Sequence, residues 1–253
     1  MPVNRKAPSF QVYVPMFNEE AAVGPLLEEF ARLRIGLSTV GVRLGLTFVD
    51  DGSTDGTYRK IQHGIRRFPG ATVLRHRPNL GLCRVLETIL RHEGRVGTRE
   101  NRFGVGLLDG DHTHPPSVFL SMVLKLMEGY DVVIASRFRP GSCVKGVSFP
   151  RRLFSLAASL LFRMIWRIPH VRDYTCGFRA YRASLFFSLS QVTFGKRSFA
   201  AMAELLGLCH QRGALCTEVP FLLRYDQKQG SSKMPLTRTI VESLSLAFAR
   251  PHG

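Results

Sequence analysis

Two runs in this chain constrain its fold more than any others, because each is an apolar strand that ends in carboxylates. Residues 44–49 lead into Asp50-Asp51-Gly52-Ser53-Thr54-Asp55-Gly56-Thr57, and residues 103–108 lead into Asp109-Gly110-Asp111, with Pro115 and Pro116 just beyond. An apolar run followed by acids and then a helical pattern is the mark of a β-α unit. Its strand carries its last side chains to the carboxyl edge of a sheet, where open α/β folds place ligands. Asp109 and Asp111 flank a single residue, so in extended backbone they point the same way. Two like charges held together call for a cation, and hard oxygen ligands suit Mg²⁺ or Mn²⁺ bridging substrate phosphates. A plain acidic turn after a strand is the alternative for two such acids taken alone.

The chain around these runs repeats the unit. Residues 10–14 read as a first strand ending at Pro15, after which Asn18 is placed to cap a helix over about residues 20–37. That helix shows apolar spacing at Val23, Leu26, Phe30, Leu33 and Leu37. Helices are predicted near residues 58–68 and 83–93, a strand at 71–75, a helix from Pro116 to about 129, and a strand at 131–135. The alternation implies a mostly parallel sheet with helices on both faces. Residues 151–168 form a further helical pattern, with Arg152, Ser155, Ser159, Arg163 and Arg167 in one polar stripe and a wide apolar arc around it. Such a helix either lies in a lipid interface or is buried on two sides with its charges solvated.

Charge is concentrated in that second half. The chain carries a net charge of +16, and between Arg137 and Arg182 ten basic residues face one acid, Asp173, a local excess of +9. Such a focus suits phosphates, whether of nucleotides, nucleic acid or anionic lipid headgroups. The five cysteines are scattered without C-x-x-C spacing, which fits a reduced cytosolic setting better than disulfides or zinc. No signal-peptide-like run follows Arg5 and Lys6, and no stretch of about 18 apolar residues occurs, so membrane contact is expected to be peripheral or supplied by a membrane-spanning partner subunit.

In order, VPMFNEE (14–20), VDDGSTDGT (49–57), LLDGDHTHPP (107–116), SRF (136–138), RDYTCGFRAYR (172–182) and GSSKM (230–234) resemble the family 2 glycosyltransferases of GT-A fold. The nearest branch is the dolichyl- or polyprenyl-phosphate mannose synthases. The resemblance implies one GT-A domain over residues 1–253. Its nucleotide-sugar half would span about 10–136, and an acceptor- and membrane-facing half about 137–236. It further implies that Pro15, Phe17, Glu19, Asp50, Asp51, Asp109, Gly110 and Asp111 bind the donor nucleotide-sugar. Asp109, Asp111 and Thr113 would hold Mg²⁺ or Mn²⁺, and Arg137, Arg179, Lys228 and Lys233 the acceptor phosphate. Asp109, Asp111, Arg137 and Lys233 would carry catalysis. Arg179 and Arg182 have a structural alternative, and a structural loop role is expected for His114.

The implied reaction moves a hexose, mannose first, from a GDP- or UDP-sugar to a polyprenyl or dolichyl phosphate, with inversion. A phosphate monoester has its second pKa near about 6, so the acceptor arrives largely dianionic and needs no strong base. This agrees with the lack of a persuasive Ser/His/Asp or Cys/His set. The enzyme would work at the cytoplasmic, inner face of a membrane. The sequence departs from the family at Thr113, where Gln is common, at Leu82-Cys83, where a second glycine is usual, and at Gln227, where Arg is expected, with Arg224 and Lys228 nearby as substitutes. The rivals are a different sugar or a polysaccharide acceptor, or a non-catalytic basic module binding membrane or nucleic acid. The chain lacks RNP aromatics and zinc motifs, so nucleic acid is not expected as a partner.

Overall fold

The first apolar run becomes strand β1 (Ser9–Met16), with seven of its eight residues buried. Burial on both faces is what a parallel sheet covered by helices requires. In the computed structural model, which describes residues 7–96, 101–194 and 201–228, the expected alternation follows. Helix α1 (Val23–Thr39) leads to β2 (Arg43–Asp50), α2 (Thr57–Ile65) to β3 (Ala71–Arg75), α3 (Leu82–Val96) to β4 (Arg102–Leu107), and α4 (Val118–Met127) to β5 (Val132–Ser136). Helix α1 buries Val23, Leu26, Phe30, Leu33 and Leu37, the three-and-four spacing that gives a helix one apolar stripe. Beyond β5 come β6 (Cys143–Lys145), α5 (Phe149–Trp166), β7 (Arg179–Arg182), α6 (Ala183–Ser188), α7 (Ala201–Gln211), β8 (Cys216–Pro220) and β9 (Leu222–Arg224).

Seven strands share one sheet in the order β3-β2-β1-β4-β7-β5-β8, while β6 and β9 pair as a small separate ribbon. Every pairing in the large sheet is parallel except those of β7, which runs antiparallel between β4 and β5. The mostly parallel α/β architecture is therefore borne out, and both halves of the chain contribute strands to the same sheet. Strand β7 itself was not foreseen. Its four residues begin and end in arginine, which masks a strand whose neighbours bury it.

One local expectation is corrected, and one of two open alternatives is excluded. Asn18 does not cap α1: its backbone is left-handed at φ 51°, and its Oδ1 accepts from the Thr54 N–H at 2.8 Å. The loop after β1 is thus stitched to the loop after β2, and α1 starts later, at Val23, with no side-chain cap. Helix α5 does not bury its apolar arc on two sides. It packs through Ala158, Ser159 and Phe162, with the Phe162 ring 4.8 Å from Trp166 and 6.0 Å from Tyr174. The serines of the presumed polar stripe turn inward. Ser159 Oγ accepts from the Tyr174 N–H at 3.4 Å, and Ser155 Oγ meets Thr175 Oγ1 at 3.2 Å. Phe149, Leu153, Leu156, Leu160 and Met164 point outward, each at least half exposed.

Candidate active site

Parallel pairing sets the carboxyl ends of β2, β1 and β4 side by side, and β5 ends on the same edge. Asp51, Phe17, Asp109 and Arg137 consequently line one cavity of about 840 Å³. The loop after β4 is held against β1 by the Gly110 N–H, which donates to the Pro15 carbonyl at 3.1 Å. A Cβ on Gly110 would lie 2.5 Å from that oxygen, so this glycine serves close backbone approach between two site loops.

Asp109 and Asp111 both face the cavity, in different settings. Asp109 is open to water within the cavity, yet protein surrounds it. Partial desolvation, reinforced by the Asp111 charge, raises its carboxyl above the usual range. Asp111 is more enclosed. Burial alone would raise it, but His114, the Lys228 ammonium and the Thr113 hydroxyl outweigh that and hold it below the usual range. Lys228 Nζ lies 2.5 Å from Asp111 Oδ2, and Thr113 Oγ1 donates to Asp111 Oδ1 at 2.7 Å. Thr113, expected as a metal ligand, is 1% exposed and instead fixes the Asp111 carboxylate. Lys228, expected near the acceptor phosphate, sits on the metal-side acid.

The histidines of this loop divide. His112 turns back with φ 59°, its Nε2 3.1 Å from Glu29 Oε1 on α1. His114 is stacked on Phe221 at 5.5 Å and edge-on to Phe178, a packing role. Among the described residues no group of three or more His, Cys, Asp or Glu side chains gathers to hold a metal. The pair Asp109 and Asp111 nevertheless fits a hard divalent ion of the kind that takes one or two carboxylates and completes its shell with phosphate oxygens and water.

At the β2 end, Asp50 and Asp51 separate by strand alternation. Asp51 lines the cavity and accepts from the Leu80 N–H at 3.0 Å, the Gly81 N–H at 2.8 Å and Asn79 Nδ2 at 2.9 Å, while His76 Nδ1 lies 2.7 Å away. It organises the loop after β3 as one wall of the cavity, and Gly81, at φ 83°, makes the turn there without a second glycine. Asp50, expected on the donor, is corrected: it is fully buried and pairs with Arg75 Nε at 2.9 Å. Asn79 opens the glycine-containing stretch after the third strand that the family pattern marks, whereas His76 is a residue at this wall that no motif marked, since only the pairing of β2 with β3 brings it to Asp51.

At the β5 end Arg137 grips Asp173 with two bonds, Nε to Oδ2 at 2.7 Å and Nη2 to Oδ1 at 2.6 Å, and its backbone N–H adds a third at 3.0 Å. Burial disfavours both charges, but each holds the other ionised, with Asp173 well below the carboxylate norm. Glu218 Oε1 accepts the backbone N–H groups of Arg172 and Asp173, each at 2.7 Å, and so clamps the loop from behind. Arg179, expected on the acceptor phosphate, is corrected. It is fully buried and donates to the backbone carbonyls of Tyr174 and Met202. Arg182 pairs with Asp131 at 2.8 Å. The basic cluster therefore divides: Arg137, Arg179 and Arg182 are tied internally, whereas Lys145, Arg152, Arg163, Arg167 and Arg172 remain at the surface. Lys233 lies outside the described residues.

The cavity has two chemical ends. Carboxylates and strand-end loops form one; Val144, Val147, Leu153, Phe154 and Leu156 form the other, at the foot of α5.

Residues 11–188 match Glycosyl transferase family 2. Over 235 residues the chain is 28% identical to a dolichol-phosphate mannosyltransferase of Pyrococcus furiosus, a match covering 92% of this chain and 61% of that protein. Over 239 residues it is 31% identical to a dodecaprenyl-phosphate galacturonate synthase of Rhizobium johnstonii, covering 93% and 65%. The chain thus spans less than two thirds of the length of these relatives. In fold it is similar to glucosyl-3-phosphoglycerate synthase of Mycobacterium tuberculosis, crystallised with Mn²⁺, UDP and glucosyl-3-phosphoglycerate (TM-score 0.63, 20% identity, 95% of this chain and 80% of that one). It is also similar to a mannosyltransferase of Pyrobaculum calidifontis in complex with GDP-Man and Mn²⁺ (TM-score 0.55, 17% identity, 97% and 71%).

Proposed function

Because this chain belongs to glycosyl transferase family 2, we propose that it transfers a hexose, mannose first, from a nucleoside diphosphate sugar to a polyprenyl phosphate at a membrane surface. The observation that carries the reading is the two-ended cavity, which joins an acidic, strand-end pocket to an apolar mouth under α5. Few acceptors other than a lipid phosphate need both. The relatives from Pyrococcus and Rhizobium, named for polyprenyl-phosphate products, support the same acceptor class.

In this reading the Asp51 wall and Phe17 receive the nucleoside, and Asp109 and Asp111 would hold Mg²⁺ or Mn²⁺. Such an ion supplies charge stabilisation for the departing diphosphate. Arg137, fixed in plane by Asp173, orients the attacking phosphate by charge-assisted hydrogen bonds. The acceptor oxygen is already anionic, so the protein's work is to align it behind the anomeric carbon and keep water away. Lys233 is proposed as a further phosphate contact.

The outward face of α5 supplies the membrane surface. Among the described residues eleven large apolar side chains are exposed, and six of them lie on this helix, flanked by Arg152, Arg163 and Arg167. An apolar face buried in the lipid boundary with arginines reaching to phosphates is the interfacial-helix pattern. No helix among the described residues is long and apolar enough to cross a membrane, and we propose peripheral association with the inner face, with or without a membrane-spanning partner. The test is product extraction: labelled GDP-mannose or UDP-hexose with polyprenyl phosphate and Mn²⁺ should give a chloroform-soluble sugar lipid. Donor hydrolysis without such a lipid would reject the acceptor.

A further inference from the structure

Lys228 is the basic side chain in contact with Asp111, and it reaches there from a turn with unusually many anchors. Its Nζ stands 2.5 Å from Asp111 Oδ2, and both side chains are nearly buried, 11% and 13% exposed. The turn begins where β9 ends. The Arg224 N–H donates to the Thr113 carbonyl at 2.9 Å, so the strand end is fastened to the loop that carries Asp111. Gly146, at φ 76°, passes so close beneath that a Cβ would fall 2.4 Å from the Asp226 nitrogen. On the other side, Arg151 in the first turn of α5 donates to the Tyr225 hydroxyl at 2.6 Å, its guanidinium 4.9 Å from the ring centre. The Lys228 ammonium lies 5.3 Å from the same ring. Residues 225–228 therefore form a strap from the metal-side carboxylate to the foot of the acceptor-side helix.

We propose that Lys228 is the counter-ion of Asp111 in the donor-free protein, that a divalent cation displaces it, and that the released ammonium then pairs with the nucleoside diphosphate. The inference rests on the metal role assigned above to Asp109 and Asp111. A hard ion such as Mg²⁺ sits about 2.0–2.1 Å from its carboxylate oxygen. That would bring it within a few ångström of an ammonium already on the same oxygen, and repulsion drives the two apart. Lysine suits the exchange, being a point charge on a flexible four-carbon stem, which arginine is not. The carboxylate thus keeps a cation partner throughout, and the strap delivers the lysine charge to the phosphates once the ion arrives. Because the same strap holds Arg151, occupancy of the metal side is linked to the entrance of the acceptor side.

The experiment measures Mn²⁺ binding by the amplitude of free Mn²⁺ in electron paramagnetic resonance, for the parent chain, Lys228→Gln, Lys228→Arg and Asp111→Asn, each checked by thermal melt. Lys228→Gln should bind Mn²⁺ alone about tenfold more tightly, by removal of one charge-assisted competitor. The same variant should bind GDP or UDP in the presence of Mn²⁺ about tenfold more weakly, the opposite sign. Lys228→Arg keeps a cation on Asp111, and its planar fork yields less readily, so it should bind Mn²⁺ no more tightly than the parent. In the unmutated chain, reductive methylation of Lys228, followed by mass spectrometry, should rise when Mn²⁺ is added. Unchanged or weaker Mn²⁺ binding by Lys228→Gln, or methylation indifferent to Mn²⁺, overturns the exchange and leaves the acid pair's metal role standing. Full Mn²⁺ binding by Asp111→Asn removes both.

Discussion

Asp109 and Asp111 share a loop but differ in what surrounds them, and the difference assigns their work. In the proposed metal role, Asp111, held ionised by His114, Lys228 and Thr113, would be the more constant ligand, while Asp109, pushed up by its enclosure, would gain most from an arriving cation. Asp111→Asn should lower transfer by at least about a hundredfold, the scale of losing one charge-stabilising contact, with the melting temperature kept; steady-state assay and a melt decide it. Asp173 is different in kind because it works through Arg137. Asp173→Ala leaves a largely enclosed guanidinium unpaired, and unfolding by urea should show a loss of about 3–5 kcal/mol. The sign with pH follows from its depressed pKa. The unfolded chain binds the proton first, so the pair's contribution is present at neutral pH and lost as pH falls below about 4 toward the folded value. Asp173→Asn should accordingly show a shallower loss of stability on acidification than the parent, measured by urea midpoints across that range.

At the scale of elements, α5 carries two faces with separate duties. Phe162 is fully buried against Trp166 and Tyr174, so Phe162→Ala should cost about 3–5 kcal/mol whether or not lipid is present. Leu160 and Met164 point away from the core, each more than half exposed and outside the cavity lining. Replacing both with Glu should leave stability within about 0.5 kcal/mol yet abolish sedimentation with anionic vesicles, and donor hydrolysis in solution should persist. Arg163→Glu with Arg167→Glu should weaken vesicle binding more mildly and in a salt-dependent way. If both double variants sediment like the parent, the outward face of α5 has another purpose. Strand β7 shows how an element acquires meaning from its place. Inserted antiparallel between β4 and β5, it carries Arg179 under the loop that holds Asp173, and the guanidinium ties the Tyr174 carbonyl of that loop to the Met202 carbonyl of α7. Arg179→Met should therefore destabilise the fold by about 2–4 kcal/mol, through orphaned carbonyls, and lose activity only in step with folding. Retained stability with a specific rise in acceptor KM would return Arg179 to the phosphate.

For the whole molecule, a single sheet edge collects strand ends that are remote in the chain, and the reaction proposed here needs them together. Chelation with EDTA should stop formation of the sugar lipid, and added Mn²⁺ or Mg²⁺ should restore it; full rate after chelation would remove the ion from the mechanism. Much of this arrangement was legible beforehand. The β-α alternation, the sheet's mostly parallel sense, the Asp109–Asp111 pair on its edge and the apolar arc of α5 all rest on short-range pattern. Periodicity and strand-end chemistry are written over ten or so residues and survive whatever the rest of the chain does. Which way each charge faces is another matter. Asp50 and Asp51 are neighbours, and only strand pairing sends one to Arg75 and the other to the cavity. Arg137 and Arg179 look alike in sequence, and only the packed fold sends one to Asp173 beside the cavity and the other, on β7, to buried backbone carbonyls. Lys228 reaches Asp111 across 117 positions because β9 is fastened to the Thr113 carbonyl. Local pattern was enough for the β-α units as far as β5, for the helix α5 and for the paired acids at a strand end, but not for the strands that complete the sheet. The tertiary structure alone decided the partner of each charge, because burial and long-range pairing are properties of the packed sheet and not of any stretch of it.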